Sequence, residues 1–146
     1  MHAKTLAIAT LLAALPMASH AADKFVHLAF ANAVQAATAS GKLDGSVKFY
    51  LAGTTPTGQL TVVNDNVDVA RKTNAFGKKD QVTCDWALQS VLIALQDDAK
   101  KAGANAVTDI VSNYNGSEYR DSQNYECHVG FLMSGVELKA KLAKVQ

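Results

Sequence analysis

The stretch QVTCDWALQSVLIALQDDAKKA, residues 81–102, decides the fold. Cys84, Leu88, Val91, Leu92, Leu95, Ala99 and Ala102 recur at three- and four-residue spacing, which places them on one stripe of an α-helix. Its ends carry matching chemistry. Asp80 or Thr83 can cap the amino end, Lys100 and Lys101 complement the negative carboxyl end, and Gly103 can take the left-handed stop. The spacing therefore predicts a helix over 81–102 with one face turned to a core.

Outward from this helix the period changes from three or four to two. Residues 106–114 read as a strand, 115–124 as a polar connection, and 125–133 as the antiparallel partner of that strand, with Gly130 and Gly135 marking a bulge or bend. Val136, Leu138, Ala140 and Leu142 alternate with Glu137, Lys139 and Lys141, a final strand with one wet face. On the amino side, 25–30 reads as a short strand or extended arm, and 32–40 as an Ala-rich helix stopped by Gly41. Val47, Phe49 and Leu51 form a half-buried strand after the Asp44-Gly45 turn. Residues 60–63 and 67–69 read as a hairpin broken at Asn64-Asp65-Asn66, and 72–80 as a loop. The expected architecture is a single α+β domain over 22–146, a mainly antiparallel sheet packed on one long helix at about 81–102.

Residues 1–21 have the three parts of a secretory signal: Lys4, an apolar core from Leu6 to Leu15, and the small-residue end Ser19-His20-Ala21. Cleavage is expected after Ala21, because an apolar core of about ten residues is too short to span a bilayer. Removing Lys4 takes the formal charge from +1 to zero. No Cys near the cleavage point offers a lipid attachment site, so the reading is an exported, periplasmic protein without a stable membrane anchor. The absence of a basic balance argues against a nucleic-acid partner. A chain of this size buries enough surface for one core without a metal, and nothing in it calls for a cofactor.

Cys84 and Cys127 are the only cysteines, and an even count in an oxidising compartment reads as one disulfide. Closing the loop 84–127 is worth about 4 kcal/mol in the loop-entropy model. Redox pairs are typically spaced C-x-x-C and zinc sites need more soft ligands, so the bridge is read as structural. His128 adjoins Cys127, but neighbours on a strand point to opposite faces, which separates the two side chains.

No phosphate loop, dinucleotide fingerprint, nucleophile elbow, S-x-x-K or H-E-x-x-H occurs. Beyond the leader only His27 and His128 remain, so a triad or a three-histidine zinc site has almost no parts to draw on. Asn64-Asp65-Asn66-Val67-Asp68 resembles the opening of a calcium loop but lacks the glycine and glutamate that complete one, leaving turn chemistry. Asp97 and Asp98 are adjacent on the helix, point about 100 degrees apart, and read as a solvated face. Trp86, Tyr114, Tyr119 and Tyr125 are either an aromatic binding surface or, for Trp86 beside the bridge, a core anchor. The polar loop with Tyr119 and Arg120 is the best place for a ligand or partner. If a metal binds, the candidate ligands are His27, His128 and Glu126.

Four blocks, KLDGSVKFY at 42–50, CDWAL at 84–88, AKKAGANAV at 99–107 and YECHVG at 125–130, together resemble a family of small exported proteobacterial proteins. Some members carry an excinuclease ATPase subunit label, which the missing phosphate loop and the export signal argue against here. More distantly, the order helix, GANAV strand, Cys-bearing strand and SGVEL is similar to the Rcs envelope-stress sensor lipoprotein and to small α+β proteins labelled as heavy-metal-binding. The sensor likeness implies that Cys84 and Cys127 tie helix to sheet and that the role is stress-related. This chain lacks the sensor's second bridge and its lipid-bearing Cys. The expected function is a non-enzymatic binding or interaction module of the cell envelope, taking an envelope protein or a small ligand and able to form an oligomer. The alternatives are a metal-binding module and an enzyme with an unrecognised site.

Overall fold

The computed structural model describes residues 23–146; the stretch read as a secretory signal, 1–21, lies outside the described residues. The elements run β1 (Lys24–Ala29), α1 (Phe30–Ala39), β2 (Lys48–Leu51), β3 (Leu60–Asn74), α2 (Asp80–Lys101), β4 (Ala106–Ser112), a short 3-10 turn at Tyr114–Gly116, β5 (Asn124–Val129) and β6 (Met133–Val145). The helix read at 81–102 is α2, and its stripe is the core as far as Ala99; Ala102 follows the last turn and is exposed. Cys84, Leu88, Val91, Leu92, Leu95 and Ala99 are all completely buried. Its last turn carries Lys100 and Lys101, and Gly103 follows at φ +68°, a conformation open to glycine without a Cβ clash.

Six strands form one curled sheet in the order β1-β5-β6-β4-β2, with β3 paired to β6. Strand β6 is the axis. One edge pairs with β3 from Met133 to Val145, so the other edge is shared, with β5 at Ser134 and Gly135 and β4 between Leu138 and Ala143. Val136, Leu138, Ala140 and Leu142 turn to the helix, the alternation that the sequence displays.

Four sequence expectations need correction. The sheet is mixed, because β2 runs parallel to β4: the chain leaves β2, passes through β3 and returns along α2 before entering β4. The helix read at 32–40 is α1, and it covers the sheet together with α2 where packing on the long helix alone was expected, with Phe30, Ala33 and Ala37 joining the core. Residues 60–69 do not form a hairpin, and the strand continues through part of the stretch read as loop. Strand β3 runs unbroken to Asn74, and the Asn64-Asp65-Asn66 segment is absorbed as register shifts against β6. Turn-forming side chains lose to a partner strand long enough to keep the ladder on both sides. Finally, β5 pairs with β1 and the start of β6 and is no ladder partner of β4, and 130–132 is a turn.

Cys84 in the first turns of α2 is bonded to Cys127 on β5, with Cα atoms 5.8 Å apart. Both are fully buried. Beside them the hydroxyls of Thr83 and Ser134 share a buried hydrogen bond of 2.8 Å, and Tyr125 donates from its hydroxyl to Asp85 at 3.0 Å. Burial, followed by the Asp85 charge, pushes the Tyr125 phenol far above its ordinary range.

Candidate functional site

The antiparallel register of β1 with β5 sets Phe25 opposite His128 and His27 opposite Glu126. Directly opposed residues share a face, as do residues two apart, so all four side chains lie on the side of the sheet away from α2. Val26 and Leu28 face the other way, packed on the core beside Cys127 and Tyr125.

The connection from β4 to β5 folds back over this outer face. It is held by the bridge between Ser112 and Tyr119, by Asp121, whose Oδ1 accepts the backbone N–H groups of Gln123 and Asn124 at 2.7 Å each, and by Arg120. The Asn124 and Gln123 N–H bonds hold the Asp121 carboxyl below its usual range. Arg120 donates to Asp109 at 2.8 Å and to Glu118 at 2.9 Å. Asp109 sits at φ +51° within a register shift of β4 and also pairs with Lys141 at 3.1 Å. Partial burial opposes its charge, but hydrogen bonds from Arg120 and Lys141 outweigh that and lower its pKa.

The result is two stacks of imidazole on phenol. His27 lies flat on Tyr119, ring centres 4.2 Å apart and planes within 13°. His128 lies on Tyr114 at 4.3 Å and 20°. Phe25 leans on His128 and Tyr114 at 5.3 and 6.0 Å. Each histidine also has a carboxylate: His27 Nε2 is 3.1 Å from Glu126, and His128 Nε2 is 3.4 Å from Asp23. The Tyr114 ring passes over β6 at Gly135, where a Cβ would meet it at 3.4 Å, an ordinary contact, and the Lys72 side chain at 3.1 Å. Burial, then the charge and hydrogen bond of Asp121, raises the Tyr119 phenol.

His27, Glu126 and Tyr119 are thus brought together, whereas His128 belongs to the neighbouring stack and Arg120 braces the loop. The three candidate metal ligands do not converge, and no group of three or more His, Cys, Asp or Glu residues is placed to hold an ion among the described residues. Cys127 and His128 point to opposite faces, as strand alternation requires. Trp86 corrects the core-anchor reading: it is 57% exposed on α2, with the Lys42 ammonium 4.5 Å from its ring. Of the three tyrosines grouped with it, Tyr125 is core, and Tyr114 and Tyr119 form the stacks.

Sequence reasoning missed Phe25, Asp23, Tyr114 and Asp121 as neighbours of the histidines. The signal was the two-residue spacing of Phe25 with His27 and of Glu126 with His128, which becomes informative once β1 and β5 are known to pair. The face offers π surfaces, carboxylates and hydrogen-bonding rings. Near His27 the Tyr119 hydroxyl donates to Asp121 at 3.2 Å.

No family model, curated protein or solved structure matches this chain. No helix among the described residues is long and apolar enough to cross a membrane.

Proposed function

We propose that this protein is a non-enzymatic binding module of the cell envelope, exported through its amino-terminal leader, and that its binding face is the strip of Phe25, His27, Tyr119, Glu126, His128 and Tyr114. The observation that carries the reading is the pair of ring stacks on the outer face of a sheet whose other face is closed by two helices, with His27 exposed and His128 half-buried. Stacked rings present large rigid surface at small entropic cost, and the flanking carboxylates add orientation. Strand β1 ends the sheet beside this strip and keeps one register with β5 along its whole length, so its outer edge can accept an extended polypeptide whose alternate side chains meet the rings.

The test is site-specific photocrosslinking in envelope preparations. A photoreactive residue at Tyr119 or Phe25 is expected to give discrete adducts that one at Asp97, on the far helix, does not. Identical adduct patterns at all three positions would overturn the proposal.

A further inference from the structure

A second surface, at one end of the molecule, adjoins the ring strip: Lys72 Nζ lies 5.9 Å from the centre of the Tyr114 ring, and Tyr114 and His128 wall the same cavity as Lys72. The turn joining β5 to β6 carries Phe131 and Leu132, Met133 opens β6, and the turn from β3 into α2 carries Phe76. In the order Phe131, Leu132, Met133 and Phe76, they are 64%, 60%, 45% and 58% exposed. The two turns act as one unit: Ala75 N–H donates to the Leu132 carbonyl at 2.8 Å, and the Phe76 and Phe131 rings meet edge to face at 5.4 Å. Four large apolar side chains grouped at turn tips are too concentrated to be the ordinary scatter of surface apolar residues.

The charge around them has one dominant sign. Lys72, Lys78 and Lys79 flank the tips and have no carboxylate partner among the described residues, while Lys24 is paired with Asp80 at 2.7 Å. Lys78 lines a surface cavity together with Phe131, and Lys72 lines the adjoining one with Phe131, Leu132 and Met133. A second copy of the chain set against this end would bring like charges together, whereas lipid phosphates would complement them.

We propose that this end docks on the surface of a bilayer containing anionic lipid. Phe76, Phe131 and Leu132 enter the boundary between headgroups and acyl chains, and Lys72, Lys78 and Lys79 sit at the level of the phosphates. Neither element alone suffices: a few apolar side chains give weak, reversible partition, and a few lysines give attraction that salt removes.

Vesicle co-sedimentation tests this with the protein as recovered after export, wild type and variants prepared in the same form. Binding is expected on phosphatidylcholine mixed with phosphatidylglycerol, and about tenfold less on phosphatidylcholine alone. A Phe131→Ser/Leu132→Ser variant is expected to lose about tenfold on the mixed vesicles with its thermal midpoint unchanged, since both residues are exposed. Lys78→Glu with Lys79→Glu is expected to abolish the preference for anionic vesicles. Failure of the wild type to bind either vesicle, or undiminished binding by the serine variant, would overturn the proposal. A dimer in sedimentation that the serine substitutions dissociate would overturn it in favour of a second copy as occupant.

Discussion

The two faces of the sheet are built from alternate residues of the same strands and obey different rules. The inner face is closed by α1 and α2, has its buried polar groups paired, and is crosslinked by Cys84 and Cys127. The outer face is overlaid by the 113–123 connection, whose tyrosines lie on exposed or half-buried partners. On β5 the two sets interleave: Tyr125, Cys127 and Val129 point in, Glu126 and His128 point out. Stability therefore concentrates on one face and leaves the other free to present rings and charges.

The sharpest way to break the contrast is to open the inner face. Replacing Cys84 and Cys127 together by alanine is expected to cost about 4 kcal/mol in chemical denaturation, because the unfolded chain regains the freedom of the loop 84–127. A loss below about 1 kcal/mol would mean that helix and sheet hold together without the bridge.

A smaller effect follows from Tyr125. Its phenol is raised above the ordinary 10.0 by burial, then by Asp85, so the folded chain keeps a proton that the unfolded chain releases. Stability from this group is whole below pH 10 and falls as pH rises towards the folded value, by about 1.4 kcal/mol per pH unit. Urea midpoints measured across the alkaline range check this, and Tyr125→Phe should flatten the slope. An unchanged slope would assign it to other groups.

The smallest effect belongs to the outer face. His27→Ala removes one stack and one carboxylate contact, and is expected to cost about 0.5–1.5 kcal/mol by denaturation. The same variant is expected to abolish crosslinking from Tyr119. If it destabilised as much as loss of the bridge, the outer face would be structural.

Much of the inner face is legible in the sequence because one helix buries one stripe: Leu88, Val91, Leu92 and Leu95 announce themselves by spacing, and Val136 to Leu142 by alternation. The outer face is not, because its residues are held by pairing between strands far apart in the chain. His27 and Glu126 are 99 positions apart and meet only through the register of β1 with β5. Residues 60–74 fail for a related reason. Asn64, Asp65 and Asn66 have local turn preferences, and a 13-residue partner strand overrides them.

By itself the sequence determined the long helix, the apolar alternation of the last strand and the two cysteines available to pair, since each rests on periodicity or on counting. Only the tertiary structure decided that β2 runs parallel to β4, that β3 is continuous, that two histidines each lie on a tyrosine, and that Phe76 joins Phe131 at one end. These depend on which strands become neighbours, and that is settled by the packing of the whole chain, beyond the reach of any local preference.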